Sequence, residues 1–566
     1  MGPGEQGGSR GRTWALRGVA IAAGLAAALA HPPFGFLPGL LGYAVVLWLC
    51  DESGPERPRR SAFFRGWLAG VAYFTVSTWW IGEAFFVDAA DQAWMAPFAV
   101  AGMAAGLGLF WGAAAALYRT LAPAGALRLL VFAGALSGCE WLRGHVLTGF
   151  PWDLPGETWR AGSAPSQLAC VVGAYGLTWI TLAVAAAPGL GIRTRDARFA
   201  IALAAVTLAG LYGFGTWRMA GAQSGAAPNA PTVRVVQPDT PELAQYDAAA
   251  FANVLKRNLD LTRQPAVKRP DVIIWSEAGL PAALEDYLAP GSWTLAQIET
   301  ALQPGQTLIT GGYRAAPAPP GAYAPDGLVY HNSLVALTRT AVGLTVSGLY
   351  DKHRLVPFGE YLPFDRELAP LGVKQLVHLG QGFTPGPPPR PISPPGVPTV
   401  QPLICYESLF PGFTHEAAVR AGVRPAWIVN VSDDAWFGVT SGPWQHLNLA
   451  SYRAIEEGLP MVRATPTGVS AVVDAYGRIL PGKQLNQREY GVIDALLPRV
   501  LPVTVFEACG GLLFVAMLLI SLASTVPFWL DLKLRGQRRV VRYHLRNNVG
   551  TNKINGKHMG AHERAA

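Results

Sequence analysis

Apolar residues along this chain gather into eight long runs, near 14–31, 34–50, 63–82, 93–118, 125–141, 166–187, 199–217 and 504–530. A helix needs about 20 such residues to cross the hydrocarbon of a bilayer, so each run predicts a membrane span. Between the seventh and eighth runs the pattern changes. Residues 231–500 are polar, rich in Pro and Gly, and long enough for one domain with a sizeable core. Short apolar strands there end in polar turns: "TVRVVQP", "PDVIIWSEAGLP" with a buried strand from Val272 to Trp275, "QTLITGGYR", "HNSLVALT", "TVQPLICYE" and "PAWIVNVSDDAWFG". "WQHLNLASYRAIEEGLP" carries apolar positions at helical spacing, and "GVSAVVDAYGRIL" predicts a closing hairpin. Strands alternating with helices predict an α/β layered domain. The expected organisation is a bundle of about seven spans over 1–230, a globular domain over 231–500, one further span within 501–534, and a tail, 535–566, without apolar periodicity and expected to be disordered.

Composition agrees with a membrane protein. The chain is 51% hydrophobic and 14% charged, against roughly 25% charged in soluble domains. Lys and Arg outnumber Asp and Glu by 45 to 37, a net charge of +8. The location of that charge decides its meaning. Arg10, Arg12 and Arg17 precede the first run; Arg57, Arg59, Arg60 and Arg65 lie between the second and third; Arg119 and Arg128 between the fourth and fifth; Arg193, Arg195 and Arg198 between the sixth and seventh. Lys533, Arg535, Arg538, Arg539 and Arg542 follow the eighth. Alternate loops are poorer: "GEAFFVDAADQ" has none, and Arg143 and Arg160 in the loop after the fifth run give the weakest contrast. This is the positive-inside pattern. It places both termini in the cytoplasm and residues 231–500 outside, and it accounts for the basic balance without nucleic acid. "AIAAGLAAALAHPP" also has the look of a signal peptide; an uncleaved span is expected, and cleavage leaves the parity of the other spans unchanged. Inside the runs, ionisable residues are few. Glu140 and Arg143, at the edge of the fifth, can pair, and no charge series suggests an ion pathway.

The polar region holds one of the five cysteines, Cys405; Cys50, Cys139, Cys170 and Cys509 sit in or beside apolar runs. A lone cysteine is most often a small buried hydrophobe, a Glu at a strand end is usually solvated, and a Lys in "YDKHRL" is usually a surface charge. Three observations together favour chemistry. A single thiol in an oxidising compartment, with no pairing partner in its domain, fits a nucleophile. "SEAGLP" and "CYES" put polar groups where apolar strands end, the edge at which α/β sheets build sites. The chemistry also closes: a carboxylate, Glu277, can take the thiol proton, and an ammonium, Lys352, can stabilise the thiolate and then an oxyanion.

Glu277 in "WSEAGLP", Lys352 in "YDKHRLVPFGEYLP" and Cys405 in "ICYES" resemble, in that order, the Glu–Lys–Cys triad of the nitrilase superfamily. "KHRLVPFGEYLP", "ICYES", "VNVSDDAWFG" and "RATPTGVSAVVDAYGR", with several spans ahead and one behind, resemble the apolipoprotein N-acyltransferase family, as does "EWLRGHVLTGFPW" (140–152). The resemblance implies an α+β membrane protein in which an extracytoplasmic α-β-β-α sandwich is carried on about eight transmembrane helices. It implies that Cys405 attacks the sn-1 ester of a phospholipid such as phosphatidylethanolamine, giving a thioester and a lysophospholipid. The α-amine of an S-diacylglyceryl-cysteine apolipoprotein then takes the acyl chain. Glu277 would be the general base and Lys352 the oxyanion stabiliser; Glu360, Tyr406 and Glu407 match further family positions near the triad. The family's setting is the bacterial inner membrane with the catalytic domain on the periplasmic side; a monomer is expected, with no metal and no cofactor.

Two places depart from the family pattern. Gln245 and Tyr246 stand where the family often has "KW", which puts the substrate contact of that loop, and Tyr246 in it, in question. "GFPWDLPGETW" continues differently after "GFPW". Trp436 and Phe437 fit either ordinary core or an aromatic loop beside a lipid site, and His446 and Arg453 read as structural. A membrane-tethered amidohydrolase with water as acceptor shares the triad; the eight-span frame and "CYES" favour acyl transfer. A transporter with an external binding domain needs broken, charged spans in matched halves, and the sequence has none. A site at the membrane surface suits lipid-anchored substrates, since extracting acyl chains costs about 0.8 kcal/mol per CH₂.

Overall fold

A computed structural model describes residues 3–526 except 55, 223–224, 228, 244–245, 321–326 and 369–381. Gln245 and the tail 535–566 lie outside the described residues. Helices occupy every apolar run: Pro3–Leu29, Leu41–Asp51, Pro58–Thr78, Ala96–Leu121, Arg128–Arg143, Ala169–Ala186, Arg195–Ala220 and Leu512–Ala523. Among the described residues, three helical stretches are long and apolar enough to cross a membrane, Ala89–Leu121, Pro165–Leu190 and Arg195–Ala220, while Leu37–Asp51 and Leu512–Ala523 are apolar but shorter. Length and apolarity therefore identify fewer than the eight spans expected. Pro3–Leu29 and Pro58–Thr78 open in arginine-bearing sequence, and Arg128–Arg143 has 16 residues. The eighth run is broken: Val505–Cys509 is separated from Leu512–Ala523 at Gly510, whose φ is +55°. Within the bundle, Pro58–Thr78 packs closely on Ala96–Leu121 through small residues; a methyl group added at Gly70 would stand 2.9 Å from the Cα of Gly108. Glu140 and Arg143 do pair, fully buried, with Arg143 Nε donating to Glu140 Oε2 at 2.7 Å and Trp111 Nε1 donating to Glu140 Oε1 at 2.6 Å.

The polar region folds into eleven strands: β1 (Thr232–Gln237), β2 (Val272–Ile274), β3 (Thr307–Pro317), β4 (Leu328–Arg339), β5 (Leu344–Asp351), β6 (Val400–Ile404), β7 (Trp427–Val431), β8 (Met461–Ala464), β9 (Ser470–Val473), β10 (Ile479–Leu485) and β11 (Gly491–Leu496). They form two sheets, ordered β11-β1-β2-β3-β4-β5 and β10-β9-β8-β7-β6. Each sheet has a parallel half, β1–β2–β3 or β6–β7–β8, followed by antiparallel strands. The parallel strands read as continuous apolar runs because both faces are covered. Val233, Val235, Val272 and Ile274 meet Val400, Ile404, Val429 and Val431 between the sheets. Residues of opposite parity point outward: Ile273 packs under the helix Ala248–Thr262, and Ile428 under the helix Gly442–Glu457. The predicted layered α/β region is thus a four-layer sandwich of helix, sheet, sheet and helix. The predicted closing hairpin is present as β9–β10. Strands β5, β8 and β11 add to those expected; β11 returns to pair antiparallel with β1 along its whole length.

The helix Gly442–Glu457 is buried from end to end. Leu447, Leu449, Ala450 and Ala454 face the second sheet and its neighbours. Its other side meets the bundle through polar groups at helical spacing. Gln445 Nε2 donates to Asp153 Oδ2 at 3.1 Å, and Gln445 Oε1 accepts from Trp80 Nε1 and Trp152 Nε1 at 2.9 and 3.2 Å. Asn448 accepts from the Ala161 amide at 2.8 Å and donates to the Glu157 carbonyl at 3.1 Å. Tyr452 donates to the Gly156 carbonyl at 3.1 Å, and Glu456 accepts from the Ala174 amide at 2.8 Å. Arg453 donates to the Leu409 carbonyl at 2.8 Å and pairs with Glu456 at 2.9 Å.

Removing one of these partners strands polar groups within a buried interface. Asn448→Ala leaves the Glu157 carbonyl and the Ala161 amide unpaired and is expected to cost about 2–4 kcal/mol. Thermal unfolding of the detergent-solubilised protein checks this, and an unchanged midpoint would contradict the docking role of the helix.

Candidate active site

Glu277, Lys352 and Cys405, far apart in sequence, come together where three strands end: Glu277 three residues past β2, Lys352 immediately after β5 and Cys405 immediately after β6. β2 and β5 belong to one sheet and β6 to the other, so the site spans one edge of the sandwich. Glycine at 311 permits the closeness, since a side chain there would run into the backbone of Glu277.

Lys352 has 1% of its side chain exposed. Its Nζ donates to Glu277 Oε1 at 3.1 Å and to Glu360 Oε1 at 2.9 Å. Asn332, on β4, bridges the same two carboxylates, donating from Nδ2 to Glu277 Oε1 at 2.7 Å and Glu360 Oε1 at 2.6 Å. The other oxygens are held by backbone: the Asp433 amide donates to Glu277 Oε2 at 2.8 Å, and the Val356 amide to Glu360 Oε2 at 2.7 Å. Burial pulls the Lys352 ammonium down, but Glu277 and Glu360 more than offset it and hold it above the ordinary lysine range. The opposite holds for the thiol. Burial and the Glu277 charge push Cys405 up, with Lys352 opposing, so the resting thiol keeps its proton. One cation already faces two carboxylates, and a free thiolate would be a third anion. Passing the thiol proton to Glu277 keeps the count of negative charges constant.

Cys405 itself has φ = +48°, the left-handed region, at the start of the short turn Cys405–Leu409. A non-glycine residue there costs about 1–3 kcal/mol and persists only where its surroundings fix it. Glu407 is one such fixture. Its buried carboxylate accepts from the amides of Ile404 at 2.9 Å, His353 at 2.8 Å and Arg354 at 3.2 Å, and from the Tyr350 hydroxyl at 2.8 Å. One side chain thus staples the turn after β6 to the segment bearing Lys352. Burial pushes Glu407 up to about 7 against these donors. Tyr406 donates to the Gly149 carbonyl, in the segment 140–152 of the bundle. Leu147, Thr148 and Gly149 are all left-handed, at φ +54°, +72° and +81°, and Tyr361 donates to Thr148 Oγ1 at 2.9 Å. The bundle therefore reaches the rim of the site.

Among the other candidates, Tyr246 is half-buried and hydrogen-bonds Glu242. Glu242 in turn bonds Asp433, whose amide holds Glu277. Burial raises both carboxyls, and Asp433 raises Glu242 further. Trp436 is 40% exposed, while Phe437 packs against Trp80, tilted at 4.3 Å, and edge-on to Trp152 at 6.1 Å. Sequence reasoning assigned no site role to Asn332, Glu242, Asp433 or Asp434. The signals were faint: a polar residue in the apolar strand "HNSLVALT", and the acidic pair in "VSDDAW".

Two parts of the chain match known families. Residues 23–187 match the apolipoprotein N-acyltransferase N-terminal domain family, and residues 232–501 match the carbon-nitrogen hydrolase family. The apolipoprotein N-acyltransferase of Caulobacter vibrioides is 57% identical over 514 residues, 90% of this chain and 94% of that protein. The apolipoprotein N-acyltransferase of Bradyrhizobium diazoefficiens is 38% identical over 544 residues, 94% of this chain and 96% of that protein. Among solved structures, an amidase from Nesterenkonia sp. matches with 17% identity and a TM-score of 0.33, covering 52% of this chain and 99% of the amidase.

The electrostatics separate two properties of Cys405. In Glu277→Gln, the charge that raises the thiol is gone while Lys352 remains. Alkylation by iodoacetamide at a fixed alkaline pH should speed up, roughly tenfold for each unit the thiol falls. Unchanged alkylation would show that Glu277 does not act on the thiol, and slower alkylation would show that its effect as a base outweighs its charge.

Proposed function

This chain belongs to the apolipoprotein N-acyltransferase family, and on that premise we propose that Glu277, Lys352 and Cys405 carry an acyl chain from a phospholipid to a lipoprotein amine. The chain is a membrane acyltransferase whose catalytic region is a carbon-nitrogen hydrolase domain. The observation that carries the site assignment is the buried ammonium between two carboxylates beside a strained, protonated thiol.

In the first half-reaction, Glu277 takes the thiol proton as sulfur attacks the ester carbonyl. The oxyanion develops beside the Lys352 ammonium, which needs no reorganisation to meet it. The tetrahedral intermediate collapses, the lysophospholipid alkoxide takes the proton back from Glu277, and a thioester remains on Cys405. In the second, the α-amine attacks the thioester, Glu277 takes the amine proton, and the proton returns to the leaving thiolate. Glu360 and Asn332 hold Lys352 and Glu277 in register, and Glu407 and Tyr406 hold the turn. Tyr246, Trp436 and Phe437 line the approach of the substrates. The donor is phosphatidylethanolamine and the working unit a monomer; headgroup competition and the mass of the solubilised particle check these.

The division of the chain is 1–230 bundle, 231–500 catalytic domain, 501–534 span and 535–566 cytoplasmic tail, with eight crossings of the inner membrane and the catalytic domain on the periplasmic side. The arginine pattern supports this arrangement; of the shorter helices, Leu41–Asp51 is largely covered by its neighbours, while Leu512–Ala523 leaves Leu512, Leu519 and Leu522 exposed, as a lipid-facing helix would. Single cysteines labelled by a membrane-impermeant reagent in intact cells should react within 231–500 and not within 535–566; the reverse would refute it.

Purified protein given phospholipid labelled in its sn-1 chain should acylate an S-diacylglyceryl-cysteine peptide with a free α-amine and spare the same peptide acetylated. Lys352→Arg should lower transfer about 100-fold or more, because a planar fork cannot occupy the place of a compact ammonium. Release of free fatty acid as fast with the acetylated peptide as with the free one would favour the amidohydrolase reading.

A further inference from the structure

Cys405 is held in the left-handed region, and something must resist its relaxation. Behind the turn lies a buried polar chain that the mechanism does not use. Arg463, on β8 and fully buried, donates from Nη2 to both oxygens of Asp434, at 2.9 and 2.7 Å, and from Nη1 to Asn430 Oδ1. Asn430 Nδ2 donates to the Leu403 carbonyl at 3.0 Å, two residues before the nucleophile. Asp434 also accepts from Ser432 Oγ at 2.7 Å and lies 3.0 Å from Nδ1 of His446. Nε2 of His446 is 3.1 Å from Ser408 Oγ and 3.3 Å from the Cys405 carbonyl oxygen, and Ser408 Oγ donates to that same carbonyl at 2.8 Å. One guanidinium therefore anchors both sides of residue 405, through Asn430 and β6 on one side and through Asp434 and His446 on the other. The ring of His446 is fully buried and wedged between Trp152 at 5.5 Å and Phe437 at 5.8 Å. It sits on the helix Gly442–Glu457 beside Gln445, the residue tied to the bundle.

We propose that His446 is a positioning residue for the nucleophile: held by Asp434 and Arg463, it braces Ser408 against the Cys405 carbonyl and so keeps the thiol presented to Glu277 and Lys352. Asp434, ionised in its pair with Arg463, takes the Nδ1 hydrogen and fixes the ring plane. Nε2 is then an acceptor: together with the Cys405 carbonyl it shares the single Ser408 hydroxyl hydrogen, and so holds Ser408 and the turn in place. Without that brace, the turn can relax out of the left-handed region, and the sulfur moves off its line to the reacting carbonyl. A displacement of about 1 Å at a reacting atom costs on the order of 100-fold in rate.

Two variants separate this contact from mere packing. Glutamine places its amide near the position of Nε2 and keeps the brace; asparagine is shorter, keeps the Asp434 side and loses Ser408 and Cys405. His446→Asn should slow acylation of Cys405 by phospholipid about 100-fold with the half-saturating lipid concentration unchanged, and His446→Gln should recover most of that loss. Ser408→Ala should slow acylation too, and its effect should not add to that of His446→Asn, because both act through one contact. Equal rates in the Asn and Gln variants, whether near wild type or equally slowed, would overturn the proposal, as would full additivity with Ser408→Ala. The proposal rests on Cys405 being the acylated residue. A wild-type protein that gains no acyl chain would refute that reading and not this one. The pH profile of iodoacetamide alkylation then still decides: wild type and the Gln variant should share one profile and the Asn variant depart from it, and a single profile for all three would overturn the brace.

Discussion

Burial of one polar helix between two apolar bodies is the constraint on which the rest depends. Gly442–Glu457 is enclosed along its whole length, so each polar side chain it carries must find a partner or cost free energy. Gln445, Asn448, Tyr452 and Glu456 find theirs in the segment 152–174 of the bundle. These bonds are directional, and they fix the catalytic domain relative to the membrane helices in a way that apolar contact alone does not. The same helix presents His446 to the turn that bears Cys405. Docking and nucleophile geometry are consequences of a single buried element.

At the site, charge balance takes over as the governing term. Lys352 is buried and would be destabilised alone; Glu277 and Glu360 make its burial tolerable, and Asn332 bridges the two carboxylates. Burial of the thiol and the neighbouring Glu277 charge both disfavour a third negative charge, so the thiol rests protonated. In the proposed reaction, proton transfer coupled to attack resolves this, since the charge moves onto the substrate oxygen as Glu277 becomes neutral. Substrates anchored in lipid require this chemistry at the membrane rim, and the left-handed stretch Leu147–Gly149, bonded to Tyr406 and Tyr361, brings the bundle to that rim.

Much of this was legible in the sequence because the signals are local. Apolar runs located each helix of the bundle, and apolar strands ending near Glu277 and Cys405 pointed to the edge where the candidate site is assembled. Whether a run crosses the membrane is less legible: Gly510 interrupts the last run, and arginines enter Pro3–Leu29 and Pro58–Thr78. Strand β11 was missed because its pairing with β1 closes about the whole domain, and no local pattern announces such a contact. Asn332, Asp434 and Arg463 were missed for a related reason. A polar residue buried in a strand looks like noise until the fold shows what it bonds. Arg463 reads as one charge in "MVRATP", yet it holds Asn430 and Asp434 from a neighbouring strand.

The central claim is that Cys405 carries the acyl chain between the two substrates. The direct measurement is the intact mass of the purified protein after exposure to phospholipid alone, followed by peptide mapping and hydroxylamine. One acyl chain on the peptide containing Cys405, removed by hydroxylamine and absent in Cys405→Ala, is the result predicted. An acyl mass that maps to another residue, or that persists in Cys405→Ala, would contradict it.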